Sequence, residues 1–383
     1  MRIGIIGTGV AGSLLAEALA DAPGLDLLAF ERVAPGEHAE AGTGLNVGPN
    51  AMKALRLHLP ARHAALRAAS LPWRRWFVDL ADGTRLMDLD LLDVAEDHGM
   101  RIRWSELYRH LRAPVADRTR HGHVLEAIEE DAAGRLVPVF RTAEGLARPG
   151  GFDLLVGADG RYSRLRALTC GEPESIPLGV CIWRLLVTEA ADCPYDDYGQ
   201  WFNGNHRLLS FRVPGGAVYI AGTFPLPRDG QIPEEMKTEA AQRALFTPAG
   251  APPCPAVAWM LGKVATHLPD IHWARSATAP LLRHDPSGRA LFLGDAAQAM
   301  VPTLGQGATQ AVECGLVAAS VIRTGGGARE VAAARDPRVA FVRDFSLEAS
   351  DTLVPGTDVV AGTRAKIAPD FLAKLRRTYT DVT

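Results

Sequence analysis

The feature that most constrains this chain is the glycine-punctuated turn at its start, Gly7-Thr8-Gly9-Val10-Ala11-Gly12. Arg2 to Ile6 before it reads as a short apolar strand. Val10 to Ala20 after it reads as an Ala- and Leu-rich helix that stops at Asp21-Ala22-Pro23-Gly24. Leu25 to Phe30 then reads as a second strand. Strand, glycine turn, helix and parallel strand within this distance make a βαβ unit, which predicts an α/β fold with an open, doubly wound parallel sheet.

In such a unit Gly7 permits the tight turn, Gly9 lets a pyrophosphate approach the backbone, and Gly12 lets helix and strand pack closely. The free N–H groups at the helix start, Val10 and Ala11 among them, attract a phosphate anion. Glu31 ends the second strand and is placed to accept from an adenosine ribose, with Arg32 beside it. An acid there argues against a 2'-phosphate on the tightly bound nucleotide. The turn alone does not separate FAD from NAD.

At 383 residues and 47% apolar content, two packed domains are expected. The net charge is −3 and no Lys/Arg tract occurs, so the electrostatic footprint of nucleic-acid or anionic-membrane binding is missing. The five cysteines form no CxxC pair, which points away from a disulfide framework or a zinc ribbon and toward a reducing, cytoplasmic setting. No apolar run reaches spanning length. The pairs His58/His63 and His121/His123 lack an accompanying acid or cysteine pattern and read as surface residues, so no metal site is expected. The implied partner is a small molecule, bound by a monomer or homodimer.

Arg101 to Leu111 looks helical, and apolar strands at Phe152 to Val156 and Ala290 to Leu293 end at Gly157-Ala158-Asp159-Gly160 and Gly294-Asp295. Between them, roughly 176 to 265, alternating runs such as Arg207 to Arg212 and Val218 to Ala221 predict an inserted antiparallel sheet. The expected division is a nucleotide-binding domain from 1–70, 98–175 and 266–345, a substrate domain from 71–97 and 176–265, and a helical tail over 346–383.

Two of those strand ends carry further signatures. Gly157-Ala158-Asp159-Gly160, followed by Ser163 and Arg166, and Gly294-Asp295-Ala296-Ala297, followed by Pro302 and Gly305-Gln306-Gly307-Ala308, resemble the "GADG…S…R" and "GDA…P…GQG" signatures of the p-hydroxybenzoate hydroxylase family of FAD-dependent monooxygenases. Gly42 to Met52 is similar to the flavin-flanking segment of its salicylate and 6-hydroxynicotinate hydroxylase branch. The resemblance implies FAD held by Gly7, Gly9, Val10, Ala11, Gly12, Glu31, Arg32, Gly44, Leu45, Arg103, Leu125, Asp159, Gly160, Asp295, Gly305, Gly307 and Ala308. Asp295 would accept from a ribityl hydroxyl, and the helix opened by Gly305 to Ala308 would stabilise reduced flavin through its dipole. Gly42 and Gly44 would let backbone pass near the ring, with Asn50 capping the next helix. Trp104 stands where the family has an arginine, leaving Arg103 or Arg101 as the substitute, and Gln298 stands where it has a histidine.

The implied reaction uses NADH or NADPH transiently, and O2, to hydroxylate a small aromatic or N-heteroaromatic ring through a flavin C4a-hydroperoxide. Implied catalytic positions are His206, Asn46, Ser210 and Thr303, with Arg184, Tyr219 and Pro302 in the pocket. Arg212, Trp73, Trp183 and Trp201 are further candidates for its walls. The competing readings are an FAD-dependent reductase or oxidase, a non-catalytic flavin-binding protein, and a plain NAD-dependent dehydrogenase. A halogenase would show a WxWxIP segment, which is absent.

Overall fold

A computed structural model describes residues 1–37 and 43–382. Gly42 lies outside the described residues. A five-stranded parallel sheet runs in the order Ala290–Phe292, Leu154–Gly157, Arg2–Ile6, Asp26–Phe30, Thr119–Arg120. Apart from the polar edge strand Thr119–Arg120, its strands are largely apolar runs, as expected of a sheet covered on both faces. The helices Val10–Ala18 and Gln306–Arg323 cover one face, packing on Ile3, Ile5 and Val156. The antiparallel trio Val124–Glu130, Leu136–Thr142 and Gly145–Ala147 covers the other, where Phe30 stacks on Phe140 with ring centroids 4.3 Å apart.

The second body is a seven-stranded sheet ordered His272–Thr278, Ile176–Val187, Val218–Pro225, His206–Arg212, Tyr198–Asn203, Arg75–Leu80, Arg85–Asp90. The edge strand His272–Thr278 comes from beyond residue 265, so this antiparallel sheet draws on chain past the expected insertion. One face packs on helices Glu239–Phe246 and Pro255–Thr266 through Trp183, Trp201, Leu208 and Ile220. The opposite face carries Tyr198, Leu209, Phe211 and Tyr219 and is covered by Leu304 and the C-terminal helices, through Phe345, Phe371, Leu375 and Tyr379. No helix among the described residues is long and apolar enough to cross a membrane.

The expected helix from Arg101 is split: Gly99–Arg103 is a strand paired with Gly44–Val47, and the helix runs from Trp104 to Arg112. The strand anchors Arg101, which is 1% exposed and donates to the carbonyls of Pro72 and Asp196. The helix Ala328–Glu348 crosses the expected tail boundary at 346.

Candidate active site

A cleft of about 400 Å³ opens at the carboxyl ends of the parallel strands, lined by Gly7, Gly9, Glu31, Ala158, Asp159, Gly160, Gly294 and Asp295. That is where an open α/β sheet places its ligands. Two helices begin there without side-chain caps, Val10–Ala18 after Gly9 and Gln306–Arg323 after Gly305, whose φ is +64°. Uncapped starts leave N–H groups for an anion. The backbone forms a cradle that side chains would fill: a Cβ on Gly12 would fall 2.0 Å from the Gly7 oxygen, and one on Gly7 2.7 Å from the Ala158 oxygen. At Gly307 nothing lies within 4 Å of such a carbon, so that backbone is open to a ligand.

Of the expected cofactor residues, Gly7, Gly9, Val10, Ala11, Glu31, Arg32, Leu125, Asp159, Gly160, Asp295, Gly307 and Ala308 line the cleft. Gly12 acts underneath it, in helix packing, and Gly305 at the helix cap. Gly44, Leu45 and Arg103 are not among its lining. A Cβ on Gly44 would meet Val213 at 2.8 Å and Tyr219 at 3.0 Å, so this glycine admits the substrate sheet. From the segment where Arg103 or Arg101 was expected, the arginine that lines the cleft is Arg112. Trp104, Tyr108 and Arg112 share one helix face at i, i+4, i+8, with Arg112 4.7 Å from the Tyr108 ring centroid. That spacing was the available signal for Arg112.

Glu31 accepts from the Thr8 N–H and hydroxyl at 2.9 Å and from Val33, and pairs with Arg112 at 3.3 Å. Burial pushes its carboxyl up, but Arg112 and these donors outweigh that and hold it below the usual carboxylate range. Asp159 caps the helix Arg164–Cys170 through the N–H groups of Arg164 and Leu165, while its Oδ1 is buried with no partner. The surrounding protein raises the Asp295 carboxyl, with Arg161 opposing. His123, expected at the surface, lines the cleft 5.6 Å from Phe30. A second cavity, about 890 Å³, shares Arg161 and Tyr162 with the cleft and opens along Trp273 and Arg275. Among the described residues no group of His, Cys, Asp or Glu could hold a metal.

Strand parity decides which face each group of the seven-stranded sheet presents. Along His206–Arg212 side chains alternate between faces, so His206, Leu208 and Ser210 point one way and Arg207, Leu209 and Phe211 the other. His206 lies on the helix-packed face, its Nδ1 3.1 Å from the Leu245 carbonyl and its ring against Phe246. Ser210 accepts from Tyr195 and donates to the Tyr219 carbonyl, on that same face. Neither is brought to the cleft side. Arg207 lies on the opposite face, beside Tyr198 and Tyr219.

Arg207 is 3% exposed, forms no ion pair among the described residues, and its Nε has no hydrogen-bond partner. Arg184, on the same face opposite Ala221, and Arg207 both act on the Tyr219 phenol. Burial raises Tyr219 despite them and pushes Tyr198 up to about 12, so both phenols stay protonated donors. Asn46 points its amide at Gly305 with Nδ2 unpartnered, linking this face to the start of the second helix. Thr303 is buried, its hydroxyl bonded to Ser350, and Pro302 is exposed. Asn50 does not cap its helix but donates to Gln306 and Glu313. Gln298 holds the Ala279 carbonyl at 2.6 Å. Arg212 is spent on the carbonyls of Ala190, Cys193 and Tyr195, and Trp183 and Trp201 face away from the cleft, whereas Trp73 stands beside Tyr198.

No family model matches the chain. Its relatives include a 3-amino-4-hydroxybenzoate 2-monooxygenase of Streptomyces platensis, 30% identical over 91% of this chain and 87% of that one. An FAD-dependent urate hydroxylase of Klebsiella pneumoniae is 29% identical over 91% and 88%. The crystal structure of Klebsiella pneumoniae HpxO complexed with FAD and uric acid superimposes with a TM-score of 0.79 at 25% identity, over 99% of this chain and 96% of that one. With its glycine cradle, its paired strand-end aspartates and relatives matched along nearly their whole length, this chain belongs to the family of FAD-dependent monooxygenases that act on aromatic and heteroaromatic rings.

Proposed function

We propose that this chain binds FAD in the cleft and hydroxylates a small aromatic or N-heteroaromatic ring bound as an anion against Arg207, Arg184 and Tyr219. The single observation that carries the substrate class is the buried Arg207 guanidinium without a carboxylate. An uncompensated buried charge costs several kcal/mol, and such sites are retained where a ligand of opposite charge completes them. An oxyanion or carboxylate on the ring would accept both guanidinium groups and the neutral phenols of Tyr219 and Tyr198.

The fit to FAD rests on the cradle that Cβ atoms would fill, on the unpartnered Asp159 Oδ1 and on the unpartnered Asn46 Nδ2. The uncapped start of Val10–Ala18 would hold the pyrophosphate, Glu31 the adenosine ribose, and Asp295 a ribityl hydroxyl. When bound, FAD would supply the activation of O2 and the transfer of one oxygen atom to the ring. The uncapped start of Gln306–Arg323 would stabilise negative charge on the flavin. Leu209, Phe211 and Leu304 keep the ring's surroundings apolar and exclude water. NADH or NADPH would approach through the cavity that shares Arg161 and Tyr162 with the cleft. The free thiols of all five cysteines support a reducing, cytoplasmic setting.

The test is a panel of hydroxybenzoates, aminohydroxybenzoates, hydroxypyridines and purine oxyanions, each beside its neutral methyl ether or ester. Stimulated NAD(P)H oxidation and a product one oxygen atom heavier by mass are expected from anionic members. Turnover of the neutral counterparts alone would refute the substrate class, and no oxygenated product from any ring would refute the hydroxylase.

A further inference from the structure

Cys314 sits midway along the helix Gln306–Arg323, 2% exposed, and plays no part in the cleft or the substrate face. Two buried guanidinium groups reach its sulfur: Arg283 Nη1 lies 3.6 Å from Sγ and Arg335 Nη2 3.7 Å. Both guanidinium groups are buried, 1% and 0% exposed, and Arg283 Nη2 and Arg335 Nε have no hydrogen-bond partner.

The charges around this sulfur do not balance without it. Arg283 pairs with Asp336 at 2.8 Å, and Arg335 and Arg338 both pair with Glu313, at 2.9 and 2.7 Å. Three arginines thus face two carboxylates. The remaining neighbours of Glu313, Gln310 and Asn50, are neutral donors, and the facing helix Val10–Ala18 packs through Ala11, Leu14 and Leu15, its Glu17 being paired with Arg62. A neutral thiol is a weak acceptor, poorly matched to two charged donors. A thiolate accepts from both and cancels the leftover charge, whose burial would otherwise cost several kcal/mol.

We infer that Cys314 rests as a buried thiolate and is a positioning residue: through Arg283, whose Nη1 also donates to the Phe292 carbonyl at 3.3 Å, it fixes the strand end that leads into the Gly294–Asp295 turn at the wall of the cleft. Burial alone would push this thiol up, and its surroundings, Arg335 and Arg283 foremost, outweigh it and hold it below the usual thiol range. Its contribution to stability is therefore present above the pKa of an unfolded thiol and is lost as pH falls through the lower, folded value.

The wild-type holoprotein is acidified stepwise while the ultraviolet band of a thiolate is followed. One thiolate is expected to persist below the usual thiol range, to vanish on further acidification, and to be missing from C314S. A spectrum without that band at neutral pH overturns the inference. Because C314S risks misfolding, thermal midpoints of C314D, C314S and C314A give a second measurement. An anion replacing an anion should leave C314D nearest wild type. Tolerance of serine with loss of C314D is the order expected of a neutral thiol and overturns the inference.

The consequence for the cleft rests on the FAD reading: C314S should weaken FAD binding at least roughly tenfold and C314D by less than about threefold. Equal FAD affinity in C314S and wild type overturns the positioning role. Should wild type fail to bind FAD, that reading falls, while the absorption band and the order of midpoints still decide the state of Cys314.

Discussion

The two halves of the site are built from different material. At the nucleotide end the contacts come from backbone, from the N–H groups after Gly9 and Gly305 and from a cradle held open by missing Cβ atoms. At the proposed substrate end they would come from side chains on one face of an antiparallel sheet, where Arg207 stands beside Tyr219 and its neighbour His206 points to the other face. A backbone site depends on a few residues next to one another in the chain. A side-chain site on a sheet depends on register, and one position of slip exchanges every group it presents.

The largest expected effect breaks the backbone half. Gly12→Ala puts a carbon 2.0 Å from the Gly7 carbonyl oxygen, which has no flexible side chain to yield. We expect at least about 3 kcal/mol of destabilisation and a protein purified without flavin, read from denaturant unfolding and the visible spectrum.

Next comes the substrate half. Arg207→Met should raise KM for an anionic ring roughly 10- to 100-fold, the worth of a hydrogen-bonded charge, with FAD binding unchanged. The same variant should unfold at a higher temperature, because it removes an unpaired buried charge. A lower melting temperature with an unaltered KM would make Arg207 a structural residue and erase the contrast between the halves.

A smaller effect sharpens the nucleotide end. Glu31 is held below the usual carboxylate range, so its stabilisation is complete above the unfolded carboxylate pKa and is lost as pH falls through the lower folded value. Wild type should lose stability over that acid interval, and Glu31→Gln should lose less there, as measured by melting temperature against pH.

The smallest effects are expected at the two positions parity turns away. Ser210→Ala should cost about 1 kcal/mol of stability for its hydrogen bonds, and His206→Ala a similar amount. Both should leave kcat/KM within about twofold of wild type, measured on whichever ring is turned over. A large drop for His206→Ala with stability intact would reverse the assignment of faces.

The pattern of what could be read in advance follows the same division. The Gly7 to Gly12 turn, Asp159 and Asp295 were legible because each stands at the end of a strand, and strand ends in a parallel sheet gather on one edge. Arg112 was missed, although its spacing from Trp104 and Tyr108 put all three on one helix face, because the strand Gly99–Arg103 was read as the start of that helix. His206 and Ser210 came from the family resemblance, and nothing local in the strand marks which layer each of its sides meets when both are covered.

The sequence by itself therefore determined the α/β class, the nucleotide cleft and the family, since these depend on short-range patterns: a glycine turn between strand and helix, and aspartates just past apolar runs. Tertiary structure alone decided that Arg184, Arg207 and Tyr219 share a face, that Gly44 admits the substrate sheet, and that Cys314 meets Arg283 and Arg335. Each of these depends on pairing between segments far apart in the chain. The free energy that selects one register over its neighbour lies in the buried surface that forms only when those segments meet.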